Sequence, residues 1–147
     1  MGVNTASWRA DATLDVLDVI AQLARHCDFG TVDDYMALMA NDAVWEMPDN
    51  SQVGVAASRR AGHGAIRAGV EERRAGGFQG PGTNTLHIVA SIAVDVVDQT
   101  SARSRAYWLY YVHGATTPVL RSVGQYDDVF IRDRAAWKLH HRRISIG

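Results

Sequence analysis

Val16, Ile20, Leu23 and Cys27 recur at helical spacing, with Leu17 and Ala24 beside them, so residues from about 7 to 27 are read as one long amphipathic helix. Gly30 stops it. Thr31-Val32-Asp33-Asp34 then has the form of a capping box with Asp in place of Glu, opening a short helix that carries Tyr35, Leu38 and Met39. Asn41-Asp42 turns the chain into a strand, Ala43-Val44-Trp45-Glu46-Met47, which Pro48 ends. Residues 49 to 61 show no period and are read as a loop. Gly62-His63-Gly64 leads into a third helix over about 65 to 74, with Ile66 and Val70 as its apolar stripe. The segment Gly76-Gly77-Phe78-Gln79-Gly80-Pro81-Gly82 is too rich in breakers for regular structure; it is a surface connection, with Phe78 as a candidate lid tip.

From Thr83 onward the period changes to two, and four strands are expected, about 84–98, 102–114, 118–132 and 136–146. In the second of them Ala106, Trp108, Tyr110 and Val112 share one face, and Tyr107, Leu109, Tyr111 and His113 the other. Both faces carry large side chains, which predicts helices on one side and a partner surface on the other. Short turns between long strands imply an antiparallel meander. Helices first and strands later imply an α+β fold: three N-terminal helices on a curved, mostly antiparallel sheet, together a cone-shaped α+β barrel whose mouth is a natural ligand pocket. No internal repeat, low-complexity tract or boundary divides the chain, so residues 1–147 are expected to form one domain.

Composition narrows the function classes. A chain that is 47% hydrophobic and 21% charged, with a net charge of −1, has the balance of a soluble globular domain and no bulk attraction for nucleic acid. The pairs Arg59-Arg60, Arg73-Arg74 and Arg142-Arg143 are read as solvated faces. Cys27 is the sole cysteine, so no internal disulfide forms. Asp11 and Asp15 interrupt the region where a signal peptide would need its apolar core, and no run approaches the roughly 20 apolar residues of a membrane span. A cytoplasmic location is the default expectation.

Two residues stand out chemically. Asp28 lies where the first helix runs out and His87 early in the first long strand. Brought together they would form a general base and the carboxylate that orients it. Apart, Asp28 is a helix-end turn residue and His87 a structural strand histidine. Other candidates are weaker. Cys27 sits on the helix stripe and is expected in the core rather than as a nucleophile. His140 and His141 are adjacent in a predicted strand, so their side chains leave opposite faces and do not share a metal. Gly62-His63-Gly64 lacks the flanking pattern of a phosphate loop. Tyr107, Trp108, Tyr110 and Tyr111 are expected in core and subunit contacts rather than in a nucleic-acid stacking platform. No cofactor or metal is expected.

The order of elements, with Asn41-Asp42-Ala43-Val44-Trp45, Gly62-His63-Gly64-Ala65-Ile66, Gly124-Gln125-Tyr126-Asp127-Asp128-Val129-Phe130 and Ala136-Trp137-Lys138-Leu139, resembles the SnoaL-like branch of the nuclear-transport-factor-two-like superfamily. That branch includes polyketide cyclases, scytalone dehydratase, hexachlorocyclohexane dehydrochlorinase and bile-acid dehydratase. The resemblance implies that Asp28 and His87 meet as an Asp–His dyad, that Trp45 is a pocket wall and that Arg142 lies near the pocket. The substrate-binding candidates are thus Trp45, Leu23, Leu109, Tyr126, Arg142, His113 and Tyr111, with Arg142, Tyr126, Tyr111 and His113 as possible donors to a departing group.

The expected activity is a cofactor-independent lyase of dehydratase or dehydrohalogenase type, acting on a small hydrophobic cyclic substrate. The alternatives are an isomerase or cyclase on the same scaffold and a non-catalytic binding or assembly domain. The expected partners are that small molecule and further copies of the chain in a dimer or trimer, with neither nucleic acid nor membrane.

Overall fold

The predicted stripe buries Val16, Ile20, Leu23 and Cys27 along α1 (Thr5–Asp28). The structure, a computed structural model, describes residues 5–147, so the first four residues of the expected domain lie outside it. Thr31 caps α2 (Val32–Met36) as the sequence predicts: its hydroxyl accepts from the Asp34 backbone N–H, and the Asp34 carboxylate accepts from the Thr31 backbone N–H. Leu38 falls after this helix, and Met39 already begins β1 (Met39–Met47). The presumed loop contains a strand, β2 (Ser58–Ala61), followed by α3 (His63–Ala75). β2 escapes the hydrophobic pattern because Ser58, Arg59 and Arg60 carry no apolar alternation; its place comes from backbone pairing with β1.

The long strands are β3 (Leu86–Val96), β4 (Ser101–Val112), β5 (Val119–Asp133) and β6 (Ala136–Ile146). They join one six-stranded sheet in the order β2-β1-β6-β5-β4-β3, antiparallel except where β1 runs parallel to β6. The fold is the expected α+β arrangement of helices on a curved sheet, but the sheet stays open, with β2 and β3 as its edges, so the cone is not a closed barrel. Among the described residues no helix is long and apolar enough to cross a membrane.

Two bulges decide which side chains face inward. Ala90 pairs with Tyr107 but Ala93 with Arg105, so β3 carries one extra residue there, with Ser91 at φ 51°. Before the bulge His87 and Val89 face the helices; after it Ile92, Val94 and Val96 do. Without the extra residue Asp95 would be turned into the core. A second irregularity separates His141, opposite Val129, from Leu139, opposite Phe130. It lets β6 give Trp137 and Leu139 to the core and Arg142, Ile144 and Ile146 to a cavity. Gly124 of β5 is required by close approach, since a Cβ there would lie 1.9 Å from the Ser145 carbonyl oxygen and 2.6 Å from the Trp108 ring.

Candidate active site

Asp28 is the last residue of α1, and that end is pinned from α3: Arg74 donates to the Gly30 carbonyl at 2.8 Å and to the His26 carbonyl at 2.9 Å. The His26 carbonyl already accepts from the Gly30 backbone N–H, so Arg74 adds a second bond there and ties down the turn that follows the helix. His87 is the second residue of β3, and α1 packs along that strand. The two residues meet at two points. His87 Nδ1 lies 2.7 Å from Asp28 Oδ1, and the His87 backbone N–H donates to Asp28 Oδ2 at 2.8 Å. Asp28 is 3% exposed, so both carboxylate oxygens are committed inside the protein. With Nδ1–H given to the carboxylate, Nε2 is the ring nitrogen left for a ligand.

Burial works against a charged His87 ring, but the hydrogen bond it donates to Asp28, the contact with Cys27 and the nearby negative charge outweigh it, and its pKa is pushed up to about 9. An ordinary imidazole, with a pKa of about 6.5, is what the sequence leads one to expect; this ring is held well above that range. Tyr110 covers the ring with centroids 4.9 Å apart, and its hydroxyl donates a hydrogen bond to the Phe78 carbonyl at 2.7 Å.

His87 opens on a cavity of about 360 Å³ between α1, α3 and the inner face of the sheet. Its walls are mostly apolar and aromatic: Ile20 and Leu23 from α1, Tyr35 from α2, Trp45 from β1, Trp108 from β4 and Tyr126 from β5. Arg142 enters from β6 and is held by Asp128 through two bonds, Nε to Oδ1 at 2.9 Å and Nη2 to Oδ2 at 2.8 Å. The pair is almost fully buried, at 5% and 3% exposed, and the carboxylate keeps Arg142 charged against its desolvation. The guanidinium lies 3.8 Å above the Tyr126 ring. Burial pushes the Tyr126 phenol up to about 12, so its hydroxyl stays protonated and able to donate.

Of the residues singled out in the sequence, His87, Leu23, Trp45, Tyr126 and Arg142 line this cavity, and Asp28 stands behind His87. Leu109, Tyr111 and His113 do not. Leu109 and Tyr111 alternate with the inward Trp108 and Tyr110 and so face away, and His113 is exposed just beyond β4 at φ 59°. The parity was readable: Arg103 and Arg105 share the face of Leu109 and Tyr111, while the small residues Ala102, Ser104 and Ala106 share the buried one.

Sequence reading also missed Trp108, Tyr110, Arg73 and Gln79 as wall residues. Arg73 had a signal, since Ile66, Val70 and Arg73 fall at i, i+4 and i+7 on one helical stripe. The expectation that the arginine pairs are solvated therefore fails for Arg73, for the carbonyl-bound Arg74 and for the buried Arg142. Nothing in the Gly-rich segment marks Gln79.

Among the described residues one set of potential metal-ligating atoms lies together, from Cys27, Asp28 and His87, within 4.8 Å of one another. Cys27 is buried, with Sγ 3.7 Å from His87 Nδ1. The donors fit an ion poorly: Nδ1 is engaged with Oδ1 and the His87 backbone N–H with Oδ2, so a metal would have to displace hydrogen bonds already made. His140 and His141 are separately placed against Asp42 and Glu46.

A family model described as a SnoaL-like domain matches residues 8–143. Three solved structures show the same fold at low identity. A candidate scytalone dehydratase from Novosphingobium aromaticivorans DSM 12444 is 18% identical over 97% of this chain and 89% of its own, with a TM-score of 0.77. LinA is 12% identical over 97% of this chain and 90% of its own, with a TM-score of 0.76. A protein of unknown function with a cystatin-like fold from Nostoc punctiforme PCC 73102 is 15% identical over 92% of this chain and 90% of its own, with a TM-score of 0.74. No curated protein matches the sequence.

Proposed function

This chain belongs to the SnoaL-like domain family, and we propose that it is a lyase in which His87 and Asp28 remove a carbon-bound proton from a small, largely apolar cyclic substrate. Its scaffold is of the type that hosts lyase and isomerase chemistry. The observation that carries the finer reading is the double contact between His87 and Asp28 at the wall of an apolar cavity.

His87 Nε2 takes the proton from carbon, and the C–H electron pair becomes the new double bond as the neighbouring group leaves with its own bonding pair. The imidazolium that results is a cation in a low-dielectric site, where an isolated charge is costly; Asp28 offsets that cost and fixes the tautomer. Tyr126 and Arg142 are the remaining donors to the departing group from the original four. The elevated His87 pKa favours a second reading, isomerisation, because a ring that keeps its proton at neutral pH is suited to returning it to another carbon. Self-association into a dimer or trimer is part of the same proposal.

The test is a panel of cyclic alcohols and halides that carry an acidic C–H beside the leaving group, incubated with wild type and His87→Ala and followed by mass spectrometry. Loss of water or halide in the wild type alone supports elimination. Product of unchanged mass moves the assignment to isomerisation, and equal turnover by His87→Ala removes the dyad from the mechanism.

A further inference from the structure

The charges around the cavity do not balance. It is lined by Arg73, Arg142 and His87, and no Asp or Glu is among its lining residues. Two of these cations have a carboxylate immediately behind the wall: Asp128 for Arg142 and Asp28 for His87. Arg73 has none within ion-pair distance among the described residues. Its Nε donates to Gln79 Oε1 at 2.9 Å and its guanidinium carbon lies 4.9 Å from the Trp45 ring centroid. The carbonyl end of α3 gives it only partial compensation, and among the described residues neither terminal nitrogen has a protein acceptor.

A second observation falls beside it. Gln79 is 4% exposed, and its Nε2 is buried with no hydrogen-bond partner. The bond from Arg73 fixes the amide orientation, because Nε–H needs the oxygen, so the two unpaired groups on Nε2 are donors. The indole Nε1 of Trp45 is likewise buried without a partner. Orphaned donors are costly inside a protein unless something occupies them. Here the orphaned donors of Gln79 and Trp45 lie on either side of Arg73, which touches both, and all three residues line one cavity.

We infer that Arg73, Gln79 and Trp45 form an anion-recognising subsite, and that the ligand is an apolar ring bearing a carboxylate or an ionised hydroxyl. A neutral ligand would satisfy the donors but leave the guanidinium without a counter-charge; an anion does both. This inference deepens the proposed function and takes from it only that the cavity binds the substrate.

Isothermal titration of the full chain with 2-naphthoate and its neutral isostere 2-naphthamide at pH 7 and low salt tests it. The wild type is expected to bind the carboxylate at least about tenfold more tightly, the size of a charge-assisted hydrogen bond. Arg73→Met should bring the carboxylate to the affinity of the amide while amide binding changes little, and Arg73→Lys should keep part of the preference. Equal wild-type affinities overturn the inference without any variant, and so does a preference that survives in a folded Arg73→Met protein. The two proposals fail separately: the carboxylate-over-amide preference and its loss in Arg73→Met are read from binding alone, whereas the dyad is read from turnover of the alcohol and halide panel, so either result can be negative while the other stands.

Discussion

Asp28 grips His87 at two atoms, the ring nitrogen Nδ1 and the backbone N–H, with one carboxylate oxygen for each. The second bond makes the geometry rigid, because the same residue that supplies the ring also anchors the carboxylate. Position and tautomer are therefore set together.

Asp28→Asn should abolish turnover while leaving the fold intact. The amide oxygen can still accept from the backbone N–H, but its NH₂ group then faces Nδ1 and forces the proton onto Nε2, where it blocks proton abstraction. A fall of roughly 10³-fold or more in kcat is expected, with an unchanged circular dichroism spectrum. Activity within tenfold of wild type would show that the tautomer is irrelevant to the reaction.

If His87 acts as the base, kcat/KM should climb about tenfold per pH unit through neutrality and level off near pH 9, where the ring loses its proton. A profile that falls above pH 9 instead assigns His87 to proton donation. A midpoint close to 6.5 in the free protein would mean that the Asp28 contact does not hold in solution.

Stability should follow the same group. Its folded pKa lies above its unfolded value, so the contribution is complete below about pH 6.5 and is lost as pH rises through about 9. The size of the loss is on the order of 3 kcal/mol. Urea midpoints at pH 6 and pH 9.5 measure it, and His87→Ala should flatten the difference.

Removing one partner of the buried Asp128–Arg142 pair should cost more than removing both. Asp128→Ala strands a buried guanidinium and is expected to destabilise by about 4 kcal/mol, whereas Asp128→Leu combined with Arg142→Met should recover most of that. Chemical denaturation of the single and double variants checks the ordering.

The elements that carry a period were legible in the sequence: the α1 stripe, the capping box at Thr31 and Asp34, and the four long strands. What escaped depends on partners rather than on pattern. β2 is polar and exists because β1 offers it an edge. The face of β4 is the exception: large side chains on both sides led to Leu109, Tyr111 and His113 on the wrong one, although the small residues at 102, 104 and 106 mark the helix-covered face in the pattern itself. Asp28 and His87 were visible as residue types, but their meeting depends on how α1 ends against β3, with Arg74 reaching over from a third element.

The extra residue at Ser91 divides β3 into two stretches with separate duties, one presenting His87 and Val89 to the cavity and the other presenting Ile92, Val94 and Val96 to the hydrophobic interior. Because the phase resets between them, the first stretch is free to be recarved for a different guest while the second goes on clamping the long helix. Specificity and sturdiness thus draw on different halves of the same ribbon and meet at position 89, whose valine both lines the cavity and leans on the core, so an engineer reshaping it should keep it apolar.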